Sequence, residues 1–141
     1  MMMMQLRAPQ CPQMVDACID DMAHLLLRQL APDARVVGVK AVAIALLQPV
    51  PPLAVLLTTD CCGSSKDAAI AKLATMCTAM GVPVVYTLSR RHMGNAVGSP
   101  AYVSAVGVGR VDEDDARVLL GSIAQRAARA AAAWTAEAPM L

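Results

Sequence analysis

The sequence predicts a three-layer α/β/α sandwich built on a small mixed sheet. Three observations lead there. Short apolar runs bounded by Gly and Pro alternate with longer stretches of helical periodicity. The chain of 141 residues is 57% hydrophobic, enough for the core of one ordinary domain. Aromatic residues make up only 2% and Phe is absent, so the core must be Val, Leu, Ile, Met and Ala, which favours helices packed on a sheet over an all-β sandwich.

The elements follow in order. Residues 14–30 place Met14, Cys18, Met22, Leu25, Leu26 and Leu30 at helical spacing, with Asp16, Asp20 and Asp21 early and Arg28 late, as the helix dipole prefers. Pro32 and Asp33 end this helix. Val36–Val37 make a short strand, and Gly38 opens a second helix to about Leu47, stopped by PVPP at 49–52. Leu53–Thr58 reads as a buried strand. Ser64 or Ser65 caps a third helix over 66–80, with Ile70, Leu73, Ala74 and Cys77 inward. Gly81 and Pro83 terminate it, and Val82–Leu88 is the next strand. Ser89 caps a short helix ended by Gly98. Tyr102–Val108 is the last strand, and DEDD at 112–115 opens a helix to about Trp134, with Val118, Leu119, Ile123 and Ala127 inward. No repeat or linker divides the chain. Residues 13–136 are read as a single domain between tails at 1–12 and 137–141.

Several function classes lose support. Net charge is +1, so no global field points to nucleic acid. The charge is uneven, however: over 61–111 Lys66, Lys72, Arg90, Arg91 and Arg110 face one acid, Asp67, which suggests a basic face. The five cysteines include no CxxC and the two histidines no ligand spacing, so neither a metal site nor a secreted disulfide scaffold is expected. Adjacent Cys61 and Cys62 are read as incidental thiols and His24 as structural. Hydropathy peaks over 41–57, but Pro49, Pro51 and Pro52 interrupt a run already short for a bilayer. No nucleophile elbow, Walker loop, zincin or dinucleotide motif occurs, so no catalytic residue and no cofactor is expected.

What remains is a pair of helix starts, each following a strand: Gly38 with Val39, Lys40 and Ala41, and Ser89 with Arg90, Arg91 and His92. Free N–H groups and guanidinium groups on one sheet edge suit phosphates and base edges.

The segment VPVVYTLSRRHMGNAVG, residues 82–98, resembles the superfamily of kink-turn RNA-binding ribosomal proteins: large-subunit proteins seven-Ae and thirty-e, small-subunit protein twelve-e and the Gadd45 proteins. VVGVKAV at 36–42 is similar to that family's glycine-led second helix, and the likeness runs from about residue 14 to 130. Two branches look nearest. The selenocysteine-insertion-sequence-binding proteins have a similar VVG and a strand like VSAVG at 103–107. The box H/ACA nucleolar protein has a similar GVK and a Gly-Ser like Gly98–Ser99. The resemblance implies non-enzymatic binding of structured, kink-turn-like RNA within a ribonucleoprotein that is ribosomal, nucleolar or selenocysteine-related. Its partners would be the RNA and other particle subunits, with no membrane, in the cytoplasm, nucleolus or an organelle. Arg35, Gly38, Val39, Lys40, Ala41, Ser89, Arg90, Arg91, His92, Ser99 and Pro100 would form the RNA site.

The chain departs from that pattern. The family's Gly-x-Asn-Glu, with Lys three residues on, becomes Lys40, Ala41 and Ile44 here, and Ser99–Pro100–Ala101 lacks the usual Arg. A good bidentate base contact is worth about 1–3 kcal/mol of discrimination. Losing two predicts a hundredfold or greater loss of specific recognition, or conversion of the fold to a protein-binding adaptor.

Overall fold

The computed structural model describes residues 16–60 and 67–137, with side chains over 16–60 and 68–129. Helix α1 spans Ala17–Gln29, a 3-10 turn Pro32–Ala34, β1 Arg35–Val37, α2 Val39–Leu46, β2 Ala54–Leu57, α3 Asp67–Met80, β3 Val84–Tyr86, α4 Arg90–Ala96, β4 Ala105–Val108 and α5 Asp114–Glu137. The strands lie in the order β1-β4-β2-β3. β2 and β3 are parallel, and β4 runs antiparallel to both β1 and β2, with Leu56 opposite both Val106 and Val85. The sheet is therefore mixed, as expected.

Side chains alternate across it. Leu56, Val85, Val106 and Val108 meet Leu26, Leu27, Met93 and Ile123 of α1, α4 and α5 on one face. Val55, Leu57 and Ala105 meet Val42, Leu46, Leu73 and Cys77 of α2 and α3 on the other. Two aliphatic cores on a central sheet make the three layers.

The boundaries show which local signals competed. β4 starts three residues later than the run from Tyr102 suggests. Before it, Val103 donates its N–H to the Arg90 carbonyl (3.1 Å) and the Ser104 carbonyl accepts from Thr58 (3.1 Å), so this segment serves α4 and the end of β2 instead of the ladder. The α1 stripe is rotated from expectation: Cys18 and Leu25 are exposed, whereas Ile19, Ala23, Leu26, Leu27 and Leu30 are buried. Val118 of α5 is 67% exposed and Ala116 takes its place inside, because the burial stripe passes through Ala116, Leu119, Leu120 and Ile123. Met14, Cys61, Cys62, Ser64 and Ser65 lie outside the described residues.

The apolar run 41–57 is split between α2, a proline turn and β2. Among the described residues no helix is long and apolar enough to cross a membrane.

Candidate nucleic-acid interface

Topology brings the relevant termini together. Because β4 runs antiparallel to β1 and β2, and β3 parallel to β2, the C-terminal ends of β1, β2 and β3 and the start of β4 share one edge of the sheet. The start of α2, the Thr58–Asp60 loop, the start of α4 and the 99–104 segment all emerge there. The start of α2, Arg90 and the 99–104 segment line an open cleft of about 910 Å³. Val37, Gly38, Val39, Lys40, Ala41 and Ile44 form one wall, and Arg90, Ser99, Tyr102, Val103 and Ser104 the other.

The two helix starts are chemically unequal. Gly38 sits at φ 109°, ψ 149°, a region essentially restricted to glycine, and it offers no side chain to cap α2. The Gly38 N–H is used in the sheet, bonded to the Ala105 carbonyl at 2.8 Å, and the Val42 N–H returns to the Gly38 carbonyl at 2.9 Å. The amides of Val39, Lys40 and Ala41 are the orphan donors of the first turn, at the positive end of the helix dipole. They belong to residues that line the cleft.

α4, by contrast, is already capped. Asp60 Oδ1 accepts the Arg90 N–H at 3.0 Å and Ser89 Oγ accepts the His92 N–H at 3.1 Å. Its contribution is a side chain. The Arg90 guanidinium stands over the Tyr102 ring, 5.9 Å from its centre, with Nε 3.5 Å from Asp60 Oδ1. The turn that delivers it is fixed by Leu88 at φ 64°, a left-handed conformation that costs a leucine energy. Surrounding bonds hold it: Asp20 Oδ1 accepts both the Leu88 N–H (3.1 Å) and the Thr87 hydroxyl (2.6 Å). The Thr59 N–H and hydroxyl both donate to the Leu88 carbonyl, at 3.0 and 3.2 Å.

This set of backbone donors, one arginine, one lysine and one exposed tyrosine can bind anions and stack planar groups. Among the described residues no group of His, Cys, Asp or Glu has metal-binding geometry.

The sequence profile of the ribosomal protein L7Ae/L30e/S12e/Gadd45 family matches residues 20–120. The chain belongs to this family. Among solved structures, that of the Giardia lamblia 15.5kD RNA binding protein is similar, with a TM-score of 0.72 and 14% sequence identity over 87% of this chain and 98% of that one. At that identity the likeness shows a shared fold. No curated protein matches the chain by sequence.

Of the residues expected at the site of this L7Ae-family protein, Gly38, Val39, Lys40, Ala41, Arg90 and Ser99 line one cleft. Arg35 does not. Its guanidinium donates to the carbonyls of Leu27 (3.1 Å), Leu30 (3.1 Å) and Val97 (2.9 Å), closing the ends of α1 and α4, so its donors are spent on structure. Ser89 serves as a cap. Its Oγ is also 3.0 Å from His92 Nδ1, which turns that ring back onto its own helix. Arg91 and Pro100 are exposed outside the cleft lining. Sequence reasoning missed Tyr102 and Asp60. Tyr102 is one of only three aromatic residues in the chain and is 68% exposed, so its rarity was the available signal. Asp60 carried none, since only the fold sets it beside Arg90.

Proposed function

We propose that the cleft binds structured, kink-turn-like RNA, without catalysis and without a cofactor, as one component of a ribosomal, nucleolar or selenocysteine-related ribonucleoprotein. The observation that carries this reading is the confrontation, across one cleft, of the uncapped start of α2 with the Arg90 guanidinium. The α2 amides and Lys40 meet a phosphate or base edge, the Arg90 fork a phosphate or guanine edge, and Tyr102 an unstacked base. With Ala41 and Ile44 apolar, affinity leans on backbone electrostatics more than on base edges. Binding should therefore fall steeply with salt.

The test is titration of a fluorescent kink-turn RNA at several salt concentrations against the wild type and the Arg90→Glu, Arg91→Glu double variant. Abolished binding in the variant is expected, and unchanged affinity refutes the reading.

A protein-binding adaptor is the second reading, favoured by exposed Ile44 (57%) in the cleft lining and by exposed Leu47 (71%) and Val50 (82%) at and beyond the far end of α2. It predicts protein that purifies free of nucleic acid, read from the ratio of absorbance at 260 and 280 nm, and no affinity for kink-turn RNA.

A further inference from the structure

Arg90 is held from two sides, and the pattern says which edge of its guanidinium is free. Asp60 Oδ1 already accepts the Arg90 backbone N–H at 3.0 Å. The same oxygen lies 3.5 Å from Nε, an ion-pair distance and not a hydrogen bond. Nε is itself buried and makes no hydrogen bond among the described residues. The Tyr102 ring supports the guanidinium 5.9 Å from its carbon. The two terminal nitrogens have no described partner, and Arg90 lines the cleft while Asp60 does not.

We infer that Asp60 is a positioning residue: its carboxylate fixes the Nε edge of Arg90 and so turns the Nη edge into the cleft. The inference rests on the RNA reading of that cleft. The carboxylate's own mounting is rigid, since the preceding residue, Thr59, is bonded twice to the Leu88 carbonyl. An arginine loses substantial rotamer entropy when it binds a ligand. Prior orientation of its planar fork removes part of that cost.

The idea makes a prediction opposite in sign to bulk electrostatics. If Asp60 acted only through its charge, it would repel an anionic ligand and its removal would tighten binding. If it orients Arg90, removal weakens binding, because one bidentate contact becomes mobile.

The experiment uses the full chain with Asp60→Asn, Arg90→Ala and the double variant. Asn keeps an oxygen to cap α4 and removes the ion pair. Affinity for a fluorescent kink-turn RNA should fall about tenfold in Asp60→Asn, the lower end of what one bidentate contact is worth. The double variant should bind no more weakly than Arg90→Ala alone. Both single variants should lower the slope of log affinity against log salt by about one.

A second measurement needs no RNA. The buried side-chain Nε–H of Arg90 should be slow to exchange in the wild type, and should join the fast-exchanging arginine signals in Asp60→Asn. Equal or tighter RNA binding by Asp60→Asn overturns the inference, as does an Asp60 effect undiminished in the Arg90→Ala background, or a mobile Arg90 Nε–H in the wild type. A wild type that binds no RNA but shows a fixed Nε–H overturns the RNA reading and leaves the positioning role standing.

Discussion

Gly94→Ala sets two effects of known size against each other inside the wall of the cleft. Gly94 is a buried residue within α4, and an alanine there gains about 1 kcal/mol of helix propensity. A Cβ built on it, however, lies 2.5 Å from the Ala101 carbonyl oxygen. Comfortable carbon–oxygen approaches are about 3.3–3.6 Å, so the 99–103 segment must retreat by about 1 Å. The obstacle is backbone and cannot rotate away. That segment is also tied to α4 by Ser99 N–H to the Gly94 carbonyl (2.8 Å) and Val103 N–H to the Arg90 carbonyl (3.1 Å), so retreat strains both bonds. Overpacking costs about 1–3 kcal/mol, and each weakened bond adds up to about 1 kcal/mol. Sterics should win, leaving Gly94→Ala destabilised by about 1–3 kcal/mol in urea unfolding at unchanged m. RNA affinity should fall with it, because Tyr102 moves with the segment. Gly121→Ala is the internal control: its Cβ meets nothing within 4 Å, so the propensity gain of about 1 kcal/mol should appear undiminished and binding should not change. If Gly94→Ala is stabilised as much as Gly121→Ala, the close approach of α4 to the 99–103 segment is wrong.

Arg35→Ala should cost about 2–3 kcal/mol in urea unfolding, since three carbonyls lose a charge-assisted donor, yet leave RNA affinity unchanged well below the unfolding midpoint. Gly38→Ala should lose about 1–3 kcal/mol for conformational reasons alone, because φ is 109° there while a Cβ would meet no atom within 4 Å. Partial desolvation raises the Asp16 pKa, but the Arg126 hydrogen bond (2.7 Å), the Ile19 and Cys18 amides and the Arg126 charge outweigh it and hold the carboxyl below its ordinary range. A carboxyl depressed by folding stabilises above its unfolded pKa, about 3.9, and loses that contribution as pH falls through the folded value. Urea midpoints measured from pH 5 downward should therefore fall less steeply in Asp16→Asn than in the wild type.

Legibility in the sequence tracked the range of the interaction. Alternation of strand and helix, the Gly38 and Ser89 starts and the Gly81 and Gly98 stops are encoded within a few residues, and these elements occur in the order their local patterns put them, with strand ends trimmed. Periodicity alone placed Val118 inside and left Ile19 out of the α1 stripe, because a stripe's phase depends on which neighbours press on the helix, and α1 packs between α4 and α5. The fate of Arg35 was illegible for a related reason. Its acceptors are backbone carbonyls, one of them at Val97, 62 residues away, and a carbonyl acceptor leaves no mark in the residue types around it. Asp60 and Arg90, 30 residues apart, meet only because β2 and β3 end on the same edge.

The same distinction bears on what became of the family's polar reading groups. Replacing the pattern's Asn and Glu by Lys40 and Ala41 leaves the path of the α2 backbone untouched, since Gly38 sets that path and the orphan amides come with it. On the proposed RNA reading, what the substitutions remove is discrimination, about 1–3 kcal/mol for each lost bidentate base contact. Apolar surface lies beside them: Val37, Tyr102 and Ile44, which stands where the pattern has Lys, are 38%, 68% and 57% exposed and line the same cleft as the cationic groups. An apolar rim beside a backbone-donor seat penalises a fully hydrated phosphate track and favours a ligand that brings an unstacked base or an apolar side chain along with its charge. Salt sensitivity separates these cases. A ligand held by phosphates alone should lose affinity with a slope set by Lys40, Arg90 and the neighbouring Arg91. A stacked base should add affinity that salt does not touch and that Tyr102→Ala removes.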